Sequence, residues 1–132
     1  IAIDNAGDLY LSNGCCTSTV MKLNGTTYAT LWSVALNTEP WRMLFNAVTG
    51  QLYAAGMSSS DNIFNINQAT GAVLSSATII GSLNNAEIRS LTFSPDGNIQ
   101  CLHVSNGVGG LLTTNHLSNN TAALAPIYNT LS

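Results

Sequence analysis

A glycine-punctuated turn occurs three times in this 132-residue chain, and each copy leads into a short apolar segment. Its glycines, Gly7, Gly50 and Gly97, are separated by 43 and 47 residues. Self-similarity at a period of about 20–50 residues is typical of repeat architectures, so this spacing constrains the fold more than any other feature. The three copies are 4–10 (DNAGDLY), 46–53 (NAVTGQLY) and 94–99 (SPDGNI).

Each period of the repeat predicts four short strands separated by turn residues. Gly7, Gly50 and Gly97 are expected to adopt positive φ, and the pair Asn24-Gly25 predicts a tight hairpin because both residues tolerate positive φ. Leu9, Leu52 and Ile99 are expected to pack between neighbouring repeats. The predicted strands are 1–3, 9–12, 20–23 and 28–34, then 42–45, 51–55, 62–67 and 72–80, and finally 90–93, 99–104, 110–114 and 122–127.

Four antiparallel strands in a repeat of this length are the unit of a β-propeller blade. We therefore predict an all-β protein of about three four-stranded blades, approximately 1–38, 39–85 and 86–132. Because closed propellers usually have about 4 to 8 blades, three blades predict part of a larger ring or a ring completed by another subunit. A β-sandwich in which the spacing is coincidental is the alternative.

Three segments carry a resemblance to known repeats: 1–13 (IAIDNAGDLYLSN), 66–74 (INQATGAVL) and 90–98 (SLTFSPDGN). They resemble the β-propeller repeat superfamily, in particular its NHL-, YVTN- and quinoprotein-like branches. The resemblance covers nearly the whole chain and implies architecture, not an activity. Where the quinoprotein repeat usually ends in Trp, this chain has Ser75 and Ser76, which argues against a quinone; we expect no cofactor.

Charge is scarce in this chain. Charged residues make up 7% of the sequence, against about 25% in an average soluble domain, and the net charge is -3. The only basic residues are Lys22, Arg42 and Arg89, which argues against nucleic-acid binding. No apolar run approaches the roughly 18 residues of a membrane span. The composition is typical of secreted or surface-displayed β-proteins, and this is the predicted localisation.

Arg42 and Arg89 each lie eight residues before their turn glycine, and each follows an acidic residue, Glu39 or Glu87. In a propeller this position predicts a cationic ring at the central channel that binds carboxylates, phosphates or sugar acids. The structural alternative is that each Arg pairs with its Glu or caps backbone carbonyls. Trp41, beside Arg42, either stacks on a sugar ring or fills an interface between blades. Trp41, Arg42 and Arg89 are the candidate ligand-binding residues.

The three cysteines are disulfide candidates. Cys15 and Cys16 are adjacent, and Cys101 is the only other one. The alternatives are a ring disulfide between the adjacent pair, a bond to Cys101 or to another chain, and free buried thiols. No Cys-x-x-Cys pair or spaced histidine cluster predicts a metal site, and His103 and His116 have no triad pattern around them. We therefore predict no metal and no catalytic residue.

These observations favour a non-enzymatic recognition or scaffold module that binds a carbohydrate or protein through its polar loops. Its expected partners are the remaining blades or a second subunit, together with a glycan or protein ligand. The alternative is a fragment of a propeller enzyme, such as a quinoprotein-like oxidoreductase, a lyase or a hydrolase, with its site on the channel axis.

Overall fold

The structure, a computed structural model, describes residues 1–13, 17–58, 63–77, 86–93, 99–105 and 108–114, and only the backbone of 57–58, 77, 86–89, 100–105 and 108–114. These residues form eleven β-strands, and no helix occurs among them. The strands are β1 (Ala2–Ile3), β2 (Leu9–Asn13), β3 (Thr19–Leu23), β4 (Thr30–Ala35), β5 (Glu39–Asn46), β6 (Gln51–Ser58), β7 (Ile63–Ile66), β8 (Val73–Ala77), β9 (Ala86–Phe93), β10 (Ile99–Ser105) and β11 (Val108–Thr114).

Every strand pairs antiparallel with the next strand of its own group. Strands β1 to β4 form a four-stranded sheet in chain order, called the first sheet here. Strands β5 to β8 form a second four-stranded sheet, also in chain order. Strands β9 to β11 form a third group, which joins the second sheet through the pairs Met57↔Glu87 and Ser58↔Ala86. None of the described strands closes a sheet into a barrel.

The prediction of an all-β fold built from four-stranded antiparallel sheets is confirmed for the first two groups. Eleven of the twelve predicted strands are present, with bounds that differ by a few residues at the ends. The twelfth, 122–127, lies outside the described residues. The division into blades and their arrangement in a propeller stay predictions.

The turn glycines behave as predicted where they are described, with φ of 84° at Gly7 and 71° at Gly50. Gly97 lies outside the described residues. The predicted hairpin at Asn24-Gly25 is confirmed, since β3 and β4 pair across this turn, but the positive φ of the turn, 58°, is at Tyr28 and not at Asn24 or Gly25. Gly25 is needed for a different reason: a Cβ there would collide with the carbonyl oxygen of Gly7.

The same five-residue turn closes three hairpins. Each begins with an asparagine whose side-chain oxygen accepts two successive backbone N–H groups, at 2.8 to 3.2 Å. The fifth residue then donates its N–H to the carbonyl of that asparagine, at 2.8 to 2.9 Å. These turns therefore satisfy their own polar groups locally. Their sequences are 24–28 (NGTTY), 46–50 (NAVTG) and 67–71 (NQATG).

The first two sheets pack face to face. Tyr10 and Val20 of the first sheet are fully buried against a cluster in the second sheet that includes Leu52 and Ile66. Each such aliphatic side chain contributes about 1.5–3 kcal/mol on burial. Trp32 packs at the edge of this core and donates its indole N–H to the Gln68 carbonyl at 2.9 Å.

The second sheet is buried on both faces. Tyr53, Ala55 and Ile63, which point away from the first sheet, are at most 1% exposed. The Tyr53 ring contacts Phe93 of β9 edge-on, with centroids 6.0 Å apart. The first sheet thus covers one face of the second sheet, and Phe93 of the β9–β11 group contacts the other face. Among the residues expected to pack between repeats, Leu52 and Ile99 are buried, whereas Leu9 is half-buried.

Candidate functional site

An open groove lies where the first and second sheets meet, at the end of β5 away from its turn. Its volume is about 380 Å³, and its lining comprises Ile1, Ser12, Trp41 and Arg42. Two of the three predicted ligand-binding residues, Trp41 and Arg42, therefore share one concave surface. We call this surface the Trp41–Arg42 groove.

The local contacts of the groove orient its two large side chains. The Trp41 indole N–H donates to a Glu39 carboxylate oxygen at 3.3 Å, and the Trp41 side chain is half-buried. The Arg42 guanidinium donates to the Trp41 carbonyl at 2.9 Å and is exposed. The carbonyl-capping role considered for Arg42 is thus present, and the exposed cation also lines the groove. The arrangement offers an aromatic face beside a planar hydrogen-bond donor.

The pairing register changes which residues of the second and third groups correspond. Six residues separate Phe45 from Leu52, with which it pairs, whereas five separate Phe93 from Ile99. Counting from the glycine is therefore out of register by one residue. Trp41 is the residue left unpaired at the bulge between β5 and β6, and Arg89 is the residue left unpaired at the bulge between β9 and β10. Trp41 and Arg89 therefore correspond to each other.

Arg42 consequently corresponds to Ser90 and not to Arg89. The equivalence of Arg42 and Arg89 that a ring of arginines requires is not supported by this register. Arg89 lies in β9, where only the backbone is described, and its part in ligand binding stays a prediction.

The remaining candidate residues are not tested by the structure. Cys15 and Cys16 lie outside the described residues, and Cys101 lies in β10 where only the backbone is described. Within the described residues, no group of three or more His, Cys, Asp or Glu side chains is placed to hold a metal ion. In the same ranges no helix is long and apolar enough to cross a membrane.

A buried ionic cluster lies at the opposite end of the interface between the two sheets. The Lys22 ammonium is 2.9 Å from an Asp4 carboxylate oxygen and 3.1 Å from an Asp8 carboxylate oxygen. The Tyr10 hydroxyl donates to Asp4 at 2.8 Å, and Gln68 of the second sheet lies 3.4 Å from that hydroxyl. Asp4 and Lys22 are only 8% and 9% exposed.

The carboxylate of Asp4 is saturated with donors. One oxygen accepts the backbone N–H groups of Ala6 and Asp8, both at 2.9 Å, and the other accepts from Tyr10 and Lys22. The Lys22 ammonium also lies 5.2 Å from the centroid of the Tyr10 ring. A buried ion pair is favourable only when its remaining lone pairs and protons are satisfied, and here they are.

The pKa shifts follow from these contacts. Burial raises the pKa of Asp4, but the hydrogen bonds from Lys22, Tyr10 and the Asp8 amide outweigh it and hold that pKa below its ordinary value. Burial and the hydrogen bond to Asp4 raise the pKa of Tyr10 to about 12. Burial lowers the pKa of Lys22, but its bonds to both carboxylates raise it above its ordinary value overall. All three groups are thus held in their neutral-pH charge states.

The ionic cluster fastens the turns of the two sheets together. Asp4, Lys22, Phe45 and Gln68 line a cavity of about 290 Å³ between the sheets. Next to it, the Asn5 side chain donates to the Ala47 carbonyl at 2.8 Å across the same junction. Because both carboxylates of the cluster contact the Lys22 ammonium and also accept backbone N–H groups, we interpret the cluster as structural.

Sequence reasoning missed the ionic cluster. Lys22 entered that reasoning only as one of three cations. A signal was present: drawing the β2–β3 hairpin places Lys22 directly opposite Tyr10, on the apolar face of an otherwise uncharged strand pair. A lysine at such a position predicts a nearby carboxylate.

The chain was compared with protein-family models, with curated proteins and with solved structures. No match was found in any of the three comparisons. The arguments that follow therefore depend on the residues and geometry of this chain.

Proposed function

We propose that this chain is a β-propeller segment that acts as a non-enzymatic recognition scaffold and binds an acidic carbohydrate in the Trp41–Arg42 groove. The propeller arrangement is supported by the face-to-face packing of the first two sheets, by the burial of the second sheet on both sides, and by the contact between its Tyr53 and Phe93 of the third group. Stacked blades bury their sheets in this way.

The observation that carries the ligand proposal is the meeting of Trp41 and Arg42 in one open groove. An indole face stacks on the C–H surface of a sugar ring, and a guanidinium binds a carboxylate through paired charge-assisted hydrogen bonds. A uronic acid residue offers both groups on one ring. Ser12, which also lines the groove, adds a hydroxyl for the sugar hydroxyls.

The test is isothermal titration calorimetry with oligogalacturonate and with a neutral galactose oligosaccharide of the same length. Wild-type protein should bind the acidic probe more tightly. Arg42→Gln should remove that preference while keeping weak binding to both probes, whereas Trp41→Ala should weaken both by about tenfold or more. Tyr28→Ala removes an exposed aromatic ring outside the groove and should change neither affinity.

Thermal unfolding of each variant separates loss of binding from loss of folding. The proposal would be overturned if wild-type protein bound neither probe, or if folded Trp41→Ala bound both as wild type does. Enzymatic activity stays an alternative prediction, which no contact among the described residues favours.

A further inference from the structure

The first sheet carries an apolar face that the rest of the described chain leaves uncovered. It lies opposite the face that packs on the second sheet, and we call it the outer face. Ile3 is 59% exposed, and the other members are half-buried. The pairing register places them in direct contact across the strands, and none is charged. The outer face consists of Ile3, Leu9, Leu11, Met21 and Leu23.

The second sheet packs on the first through one of its two faces. The outer face of the first sheet holds the same strand-pairing positions as that packed face of the second sheet. In both sheets the strand after the glycine turn pairs with the strands on either side at corresponding positions. Four of the five counterparts are buried in the core between the sheets, and the fifth packs against it. In the order of the outer-face residues given above, the counterparts are Phe45, Leu52, Ala54, Phe64 and Ile66.

Successive groups contact each other through the same register positions. Tyr10 of the first sheet contacts Phe45 of the second with ring centroids 6.0 Å apart and the rings stacked, and Tyr53 of the second contacts Phe93 of the third at the same distance with the rings edge-on. Each tyrosine lies three residues after its turn glycine. Phe45 and Phe93 occupy the position that Ile3 occupies in the first sheet. Ile3 therefore occupies the position whose counterparts, Phe45 and Phe93, each contact a tyrosine of the preceding group.

The opposite end of the stack carries the corresponding face, in which Gln100 takes the place of the tyrosine. Ala2, Leu44 and Thr92 occupy one register position, opposite Tyr10, Tyr53 and Gln100 respectively. Ala2 packs into the core against the second sheet, whereas Thr92 is exposed. The face of the β9–β11 group that carries Thr92 thus corresponds to the faces that the first two sheets turn toward their neighbours.

The outer face is large enough to matter energetically. Its five aliphatic or thioether side chains lie on the neighbouring strands β1 to β3, and moving each from exposure to full burial contributes up to about 1.5–3 kcal/mol. Two copies joined head to tail in a closed pair would bury the patch of each.

We propose that a second copy of this chain docks on the outer face, head to tail, through the Thr92 face of its β9–β11 group. The docking repeats the packing that already relates the first sheet to the second and the second to the third. It depends on the stacked sheets and not on carbohydrate binding, so either proposal stands if the other fails.

The experiment is native mass spectrometry, with sedimentation velocity, over a range of chain concentrations. The wild-type chain should form a two-chain or larger species. Ile3→Lys places a charge on the outer face, and Thr92→Lys places one on the complementary face. Each should raise the dissociation constant about tenfold or more. Val48→Lys, at a turn residue that is 94% exposed, is the matched control and should associate as wild type does.

Mixing the two variants tests the head-to-tail geometry directly. The Ile3→Lys chain keeps an intact Thr92 face, and the Thr92→Lys chain keeps an intact outer face. An equimolar mixture, with one chain isotope-labelled, should therefore form a one-to-one dimer at concentrations at which neither variant associates alone. Circular dichroism and thermal unfolding show that each variant is folded.

Three outcomes would overturn the proposal. The wild-type chain could remain a single chain at every concentration, so that a second copy does not occupy the outer face. Thr92→Lys could associate as wild type while Ile3→Lys does not, so that the outer face pairs with itself. Both variants could associate as tightly as the wild type, in which case another surface is responsible for association.

Discussion

Replacing Lys22 with Met removes the only cation of the buried ionic cluster. The carboxylate of Asp4, a residue that is only 8% exposed, then lacks its counter-ion. Removing one partner of a buried ion pair costs about 3–5 kcal/mol. Asp4 keeps three donors, from Ala6, Asp8 and Tyr10, so we expect the lower end, about 3 kcal/mol. A domain of this size has a stability of about 5–15 kcal/mol, so the loss is large but survivable.

Urea unfolding measures this loss. With a slope of about 1.5–3 kcal/mol/M, a loss of 3 kcal/mol lowers the midpoint by about 1–2 M. Arg42→Met is the matched control, because it makes the same change in net charge at an exposed side chain, and it should shift stability by no more than about 0.5 kcal/mol. The double variant Asp4→Asn with Lys22→Met should recover part of the loss, since the charge of Asp4 is then removed together with its counter-ion and only the half-buried Asp8 carboxylate lacks a cation.

The pH dependence gives a second, independent reading. The pKa of Asp4 is lowered in the folded protein, so its contribution is present above the unfolded pKa near 4 and is lost as pH falls through the folded value. In Lys22→Met the unpaired carboxyl takes up a proton more readily, so the deficit should shrink between pH 7 and pH 3. The reasoning is refuted if Lys22→Met is as stable as Arg42→Met, or if its deficit is the same at both pH values.

Three further results are expected. In urea unfolding, Gly71→Ala should lower the free energy of unfolding by about 2–3 kcal/mol and Gly50→Ala by about 1 kcal/mol. Both glycines have positive φ, but only a Cβ at Gly71 would lie 2.8 Å from Trp32. Equal losses of stability in the two variants would contradict this reasoning. Tyr28→Gly, at the same position of its own turn, should leave stability unchanged or raise it by up to about 1 kcal/mol, and a loss would refute the turn equivalence. Because the pKa of Tyr10 is raised to about 12, its contribution is complete below pH 10 and is lost as pH rises toward 12, so Tyr10→Phe should show a shallower fall in stability over that range.

Strand order could be predicted from the sequence because turn chemistry is local. An asparagine or aspartate followed a few residues later by glycine fixes where a hairpin reverses, whatever packs around it. The alternating or apolar segments on either side of such a turn are then held next to each other and pair as strands. This is why the strands near Gly7 and Gly50 were placed within a few residues of their observed bounds.

The candidate site was harder to predict because it depends on register across strands. A one-residue difference in turn length moved Arg42 out of correspondence with Arg89, and the sequence alone does not reveal how many residues a turn leaves unpaired. The buried cluster around Lys22 was not predicted, for a related reason. Its members become neighbours only when β2 and β3 pair and the second sheet closes over them.

The burial of the second sheet on both faces has a consequence for how the protein opens. Four successive residues of its strand β6, from Leu52 to Ala55, are at most 1% exposed, and the strand is hydrogen-bonded on both sides. Its amide protons therefore exchange with solvent only when neighbouring sheets separate, whereas the edges of the stack open in local fluctuations. The middle of the chain is consequently the cooperative unit, and its slowest-exchanging amides report the global free energy of unfolding.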